Sequence, residues 1–326
     1  MSCLIIDVNS AVDLILDHQI IAIPTETVYG LFGLATSLSA VQKVYLAKNR
    51  PADNPLICHF WSVGQMLEYI ETPSDFVLAL LNWFCPAPLT VVLPLLPNST
   101  LLPATAGLPT VCCRIPDHPL VLEILKKVNI PLFGPSANTS TKVSGVFAQM
   151  IQEDLGDKIA GIVDGGFCPI GVESTIIDMS QPNIIQILRP GVIGKIELEN
   201  FLMQNNFDDI TIVENASSKS VTPGAKYRHY SPLAKITLEG IRNEDLNCPI
   251  IGISEFISSK KNTINLGSTN DLNQICANLF YNLYLLDKNN ITQAIFDKDS
   301  YDFICNSDNS TAKAILNRLN KILLKN

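Results

Sequence analysis

Three polar segments of this 326-residue chain interrupt apolar stretches with residue types that bind anions. The first, Pro24-Thr25-Glu26-Thr27-Val28-Tyr29-Gly30-Leu31, follows an apolar run at 20–23. Two threonines, a carboxylate and a tyrosine at a strand end can orient a small polar ligand, because ligands of α/β sheets gather at strand termini. The same residues also make an ordinary strand-to-turn corner. The second segment is Lys48-Asn49-Arg50-Pro51-Ala52-Asp53-Asn54-Pro55, followed by a stretch bearing His59. Lys48 and Arg50, two apart at a helix end, suit phosphate oxygens through charge-assisted hydrogen bonds. Cations there equally complement the helix dipole, an effect of about 0.3–1 kcal/mol. His59, between Cys58 and Phe60, reads by itself as a buried, hydrogen-bonded side chain. The third segment joins Gly134-Pro135-Ser136-Ala137-Asn138-Thr139-Ser140 with Ser144, Gly165-Gly166 and Gly171-Val172-Glu173-Ser174-Thr175. Hydroxyls, an amide and N–H groups in glycine turns can cradle phosphate, and such loops are also common as plain turns. Gly191–Lys195 has neither the spacing of a Walker A loop nor the Ser or Thr that follows its lysine.

The elements that must position these residues follow from periodicity. Asn9 or Ser10 can cap a helix carrying Val12, Leu14, Ile15 and Leu16, and Ser37 or Ser39 one carrying Leu38, Val41, Val44 and Tyr45 that stops before Pro51. Strands are predicted at 20–23, 56–60, 89–93, 110–115, 159–163, 175–179 and 184–188, and helices at 75–84, 119–128 and 145–155. Pro119 suits a first helical turn after Asp117. Irregular strand spacing fits an α/β domain with a twisted mixed sheet better than strict βαβ alternation. Residues 215–235 combine two prolines, a glycine and four serines with four cations and no acid, the composition of a linker. Strands at 249–254, 263–266 and 293–296 alternate with helices at 271–287 and 310–324, a smaller parallel α/β domain.

Composition narrows the function classes. Apolar residues at 47% and charged residues at 17%, with a mean hydropathy of +0.23, support folded cores and exclude wholesale disorder. The length predicts about two domains. No apolar run approaches the roughly 20 residues of a membrane span, and the first residues lack a basic, signal-type start, so a cytoplasmic protein is expected. Nine cysteines without a C-x-x-C pair read as reduced and structural, and four scattered histidines argue against a metal site. Of the net charge of −8, all the excess acid lies in residues 1–200, which hold 10 Lys/Arg against 18 Asp/Glu. Nucleic-acid binding there should be weak or absent.

The polar segments also occur in a recognisable order. Thr-Glu-Thr-Val-Tyr-Gly, Lys-x-Arg-Pro-x-Asp-Asn-Pro-Leu, Ala-Pro-Leu-Thr at 87–90, Arg114-Ile115-Pro116-Asp117-His118-Pro119, Pro-Ser-Ala-Asn, Gly-Val-Glu-Ser-Thr and Leu188-Arg189-Pro190-Gly191 run as they do in threonylcarbamoyl-AMP synthases. Over residues 10–200 the chain closely resembles the long, two-domain form of that family, and the Pro223–Pro232 stretch PGAKYRHYSP resembles its linker. The resemblance implies a YrdC-like catalytic domain (1–205), a linker or lid (206–235) and a C-terminal Rossmann-like α/β domain (236–326). It implies synthesis of L-threonylcarbamoyladenylate and pyrophosphate from L-threonine, bicarbonate or CO2 and ATP, with Mg2+ carried by the nucleotide. The product would serve a tRNA-modifying transferase complex that places threonylcarbamoyl on an adenosine beside the anticodon. Carried over by motif, Thr27, His59, Arg114, Gly134 and Ser174 would bind threonine. Lys48, Arg50, Asn54, Thr110, Ser136, Asn138, Ser144, Arg189 and Tyr230 would bind ATP, with Lys48 and Arg50 most engaged in catalysis. Ala87 stands where the family usually carries glycine. An RNA-binding module of the same fold, without catalysis, is the alternative, and the acidic first domain disfavours it. The cationic and aromatic linker is expected to close over the pocket, with Tyr230 reaching the nucleotide.

Overall fold

The computed structural model describes residues 4–214, 232–240 and 248–323. In chain order the elements are α1 (Val8–Leu16), β1 (Ile21–Ile23), β2 (Gly30–Leu34), α2 (Leu38–Lys48), β3 (Ile57–His59), α3 (Val63–Leu67), α4 (Asp75–Phe84), β4 (Leu89–Pro94), β5 (Thr110–Arg114), α5 (Pro119–Val128), β6 (Leu132–Phe133), α6 (Ala148–Leu155), β7 (Gly161–Ile162), β8 (Thr175–Asp178), β9 (Ile184–Arg189), α7 (Lys195–Gln204) and β10 (Thr211–Glu214). The second part holds β11 (Lys235–Glu239), β12 (Ile250–Gly252), α8 (Ser254–Ile257), β13 (Thr263–Asn265), α9 (Leu272–Lys288), β14 (Gln293–Asp297), α10 (Lys298–Cys305) and α11 (Ser310–Leu323).

The first seventeen elements build one ten-stranded mixed sheet in the order β10-β9-β8-β4-β5-β3-β6-β2-β1-β7. The rest build a four-stranded, all-parallel sheet, β11-β14-β12-β13. Mixed pairing is what the irregular strand spacing predicted. Helix starts follow local chemistry: Ser37 accepts the Ala40 N–H, and Pro119 opens α5 directly after His118. At α1 the cap is Asp7, whose carboxylate accepts the Ser10 N–H at 2.8 Å, so Asn9 and Ser10 lie inside the first turn rather than capping it. An anionic cap also complements the helix dipole, which apolar spacing does not report.

Several elements lack a clear sequence signal. β2 carries two glycines because aromatic rings lie against them: a Cβ on Gly33 would come within 2.6 Å of the Phe133 ring. Residues 206–214, expected to start the linker, instead include β10, which pairs in parallel with β9. Lys235, placed at the linker's end, begins β11. Buried apolar side chains run without a break from the large sheet into the C-terminal domain, through Leu198, Phe201, Ile275 and Phe280. The two parts therefore share one core.

Candidate active site

Strand register places the chemistry in one row. His59 lies opposite Arg114, Arg114 opposite Thr90, Thr90 opposite Ile176, and Ile176 opposite Arg189. Residues opposite one another on neighbouring strands project to the same face, as does Ser174, two before Ile176. Five strands at about 4.8 Å spacing spread this row over roughly 19 Å, longer than an amino acid alone.

A partly open cavity lies above the row. Thr25, Val28, Gly30, Arg50, Ile57, His59, Arg114, Gly134, Pro135, Ser136, Glu173, Ser174 and Arg189 line it. The chain has only three arginines before residue 200, and all three, Arg50, Arg114 and Arg189, face this space. Basic charge that is scarce overall is thus concentrated where a polyanion would sit.

Each lining group is held by its neighbours. Arg114 Nη2 donates to Glu26 Oε1 at 2.7 Å and to Thr27 Oγ1 at 2.9 Å. Thr27 Oγ1 also meets Thr25 Oγ1 at 2.8 Å. Arg189 Nε donates to the Ser174 carbonyl at 2.9 Å and its Nη2 to Ser174 Oγ at 3.1 Å, while that hydroxyl meets Thr90 Oγ1 at 2.8 Å. Arg50 is steered by the carbonyls of Asn54 and Pro55. His59 packs edge-on against Phe32, and burial, then the Arg114 charge, hold its imidazole well below the ordinary histidine value, so the ring is neutral. Gly134 makes that packing possible, because a Cβ there would fall within 2.9 Å of both rings.

Below the cavity, backbone hydrogen bonds stitch the Thr25–Tyr29 segment to the Pro-Ser-Ala-Asn loop and to residues 170–171. Lys48 is fully enclosed there. Its Nζ donates to the carbonyls of Ser136 and Asn138 at 2.5 and 2.6 Å, and burial, then Arg50, lower its ammonium to about 7. Ser136 Oγ donates to Asn138 Oδ1 at 2.5 Å, and Asp154 anchors Thr139. Ser144 Oγ donates to the Glu173 carboxylate at 2.5 Å. Burial pushes that carboxyl up, but Arg318, Arg189 and Ser144 together hold it below the usual carboxylate value.

Of the residues singled out in the sequence, Arg50, His59, Arg114, Gly134, Ser136, Ser174 and Arg189 line the cavity. Thr27, Lys48, Asn54, Asn138 and Ser144 lie behind it and fix those that do. Thr110 starts β5, on the same face as Arg114 but four residues away, beyond the lining set. Between them Cys112 joins Ile57, Val92 and Ile176 in a small apolar floor. Tyr230, with all but Pro232 of the Pro223–Pro232 stretch expected to close over the pocket, lies outside the described residues. Ala87, in place of the family's glycine, is buried and has no positive φ, so the exchange leaves the loop unstrained. Glu26 reads in the sequence as one of several polar groups able to orient a ligand, and Glu173 carries no role there; the structure buries both carboxylates beside arginines.

Comparison with known proteins matches the two halves of the chain separately. The family model Sua5_yciO_yrdC, described as "Telomere recombination", matches residues 13–191, and the model "Threonylcarbamoyl-AMP synthase, C-terminal domain" matches 193–321. A threonylcarbamoyl-AMP synthase of Bacillus subtilis is 40% identical over 231 residues, covering 71% of this chain and 66% of the relative. One of Pyrococcus abyssi is 40% identical over 245 residues, covering 73% and 69%. The chain thus spans about two thirds of the length of these relatives. The crystal structure of P. abyssi Sua5 complexed with L-threonine superposes with a TM-score of 0.82 at 32% identity, covering 96% of this chain and 93% of that one. With both domain models matched in order and one solved structure following nearly the whole chain, this protein belongs to the threonylcarbamoyl-AMP synthase family, in its two-domain form.

Proposed function

We propose that the chain condenses L-threonine, bicarbonate or CO2 and ATP into L-threonylcarbamoyladenylate, releasing pyrophosphate, as a nucleotidyltransferase serving the t6A37 modification of tRNA. The observation that carries this reading is the in-register row of His59, Arg114 and Arg189 with Arg50 beside it, around one cavity. Arg114 Nε, His59 Nδ1 and Glu26 Oε2 are buried without a protein partner. Such orphaned groups are rare, and a zwitterionic amino acid carries a carboxylate for the guanidinium and an ammonium for the carboxylate.

The chemistry asks for positioning more than for an enzyme nucleophile. Threonine's amine attacks the carbon of CO2 and loses a proton, giving a carbamate. A carbamate oxygen then attacks the α-phosphorus, and the bond to the β-phosphate breaks as pyrophosphate departs. Charge develops on phosphate oxygens, where Arg50 and Arg189 would neutralise it. The thiols beneath the site take no part: burial pushes Cys112 up to about 12 and Cys113 well above its ordinary value. Lys48 would act by holding the carbonyls of the Pro-Ser-Ala-Asn loop, so that Ser136 faces the nucleotide.

Mg2+ would ride on the triphosphate and neutralise part of its charge when bound. Among the described residues no group of three or more His, Cys, Asp or Glu converges, which suits an ion held by phosphates and water rather than by a carboxylate cage. Among the same residues no helix is long and apolar enough to cross a membrane. A cytoplasmic setting accords with the eight described cysteines, all free thiols, and with delivery of a hydrolysable product to a tRNA-modifying transferase complex. Incubation with ATP, Mg2+, threonine and bicarbonate, followed by chromatography, tests the assignment. It stands if pyrophosphate and the adduct appear together and only with threonine present, and falls if ATP is left intact.

A further inference from the structure

We propose that Arg318, carried by the C-terminal domain, is a positioning residue that holds Ser174 and Arg189 in place at the cavity; the inference rests on the functional reading above. Arg318 sits in the apolar stripe of α11, among Ala314, Ile315, Leu319 and Ile322, and is 0% exposed. A guanidinium is placed there only if its donors are met. They are met mostly by the other domain. Nη2 donates to the Glu173 carbonyl at 3.0 Å, Nη2 and Nε both approach Glu173 Oε2 at 3.3 Å, and Nη1 donates to the Pro190 carbonyl.

Glu173 immediately precedes Ser174, and Pro190 immediately follows Arg189. One planar fork therefore clamps the residues flanking both cavity groups, at the start of β8 and the end of β9, where Arg189 Nη2 already donates to Ser174 Oγ. The Glu173 carboxylate carries the clamp further, to Ser144. Backbone packing reinforces it. Gly171, at φ +78°, lies against the α9 backbone so closely that a Cβ would come within 2.5 Å of Ala277. Gly194 lies against the side chain of Ser310, the first residue of α11, with no room for a Cβ between them. The turns at Gly171 and Gly194, before β8 and after β9, thus rest on the C-terminal domain. A contact serving adhesion alone looks different: Tyr284 and Lys288 meet Glu153 at an exposed edge of the same interface. Arg318 is instead fully desolvated and addressed to two backbone carbonyls and one carboxylate at the site.

The test uses the full-length chain with Arg318→Met, Arg318→Lys and, as a control on the exposed part of the interface, Lys288→Ala. Pyrophosphate release gives kcat and KM for threonine and ATP well below each variant's unfolding midpoint, and calorimetric titration with a non-hydrolysable ATP analogue and with threonine gives binding independently of turnover. Folded R318M is expected to raise KM and Kd for at least one substrate by ~10-fold or more, since small misplacements of binding groups are costly. R318K, which keeps the charge but loses the fork, should fall between R318M and wild type, and K288A should match wild type. Unchanged KM and Kd in R318M, a fall in kcat alone that tracks the unfolded fraction, or an equal shift in K288A overturns the inference. If R318M does not fold, R318K decides: a raised KM or Kd supports positioning, and wild-type values refute it. A wild-type chain that binds both ligands but yields no adduct would count against the assigned reaction, while the titrations would still judge Arg318.

Discussion

Removing the Arg114 guanidinium separates its structural and binding roles. Arg114 and Glu26 form an ion pair at 2.7 Å with side chains only 6% and 8% exposed. In Arg114→Met, Glu26 is left as a buried carboxylate without its cation, a loss of about 3–5 kcal/mol for pairs of this kind. At roughly 2–4 °C per kcal/mol, the unfolding midpoint should drop by about 6–20 °C. Adding Glu26→Gln removes the uncompensated charge, so R114M/E26Q should regain most of that stability. It cannot regain a cation for the substrate carboxylate. A charge-assisted hydrogen bond contributes about 1.5–3 kcal/mol, so threonine should bind ~10–150-fold more weakly in R114M and at least as weakly in R114M/E26Q, which also lacks the carboxylate for the ammonium. Differential scanning fluorimetry and calorimetric titration with threonine measure the two effects on the same samples. Wild-type threonine binding by R114M/E26Q would remove the binding role of Arg114, and a stability as low as that of R114M would remove the ion pair as the cause of the loss.

The remaining expectations concern the phosphate side, acid stability and substrate choice. Arg50→Ala should lower kcat/KM for ATP at least ~10-fold at nearly unchanged Tm, whereas Lys48→Met should lower activity and Tm together, because it leaves the half-buried Ser136 and buried Asn138 carbonyls without their donor. Parallel pyrophosphate-release and melting assays that showed the same pattern for both variants would argue against these separate roles. Glu173 is held below the ordinary carboxylate value in the folded chain, so its stabilising contribution is present above the unfolded pKa of about 4.3 and is lost as pH falls through the lower folded value. The wild type should therefore exceed Glu173→Gln in denaturant midpoint near neutrality, with the gap closing in acid; a constant gap from pH 7 to 3 contradicts this. Serine should be a poorer substrate than threonine, and valine should fall at least ~100-fold below it in kcat/KM, because valine leaves hydroxyl partners in the pocket unpaired. Equal efficiency with valine removes threonine from the assignment.

What could be read before folding was local. The apolar period of α4 and α5, with Pro119 at a first turn, marks both helices end to end, because a helix is decided by residues three and four apart. β4, β5 and β9 were legible for a similar reason, as runs of branched apolar residues with polar breaks. The motifs around Thr27, Arg50, Ser136 and Ser174 were visible as chemistry, and their order as a family likeness. Nothing in one dimension places His59, Thr90, Arg114 and Arg189 in a single row, since register is set by pairing between residues as far apart in the chain as Thr90 and Ile176. The division of labour between Lys48, enclosed beneath a loop, and Arg50, facing the cavity, depends on a helix that ends at Lys48 with Asn49 in a left-handed turn. β2 hid behind its glycines, which are explained only by the rings that rest on them. Arg318 left one faint mark, a charge within the apolar stripe of a helix, but its target lies 145 residues away in the other domain. Local propensity determined the elements. The site exists because packing brought their ends together and desolvated a few charges there, a long-range effect that spacing along the chain does not encode.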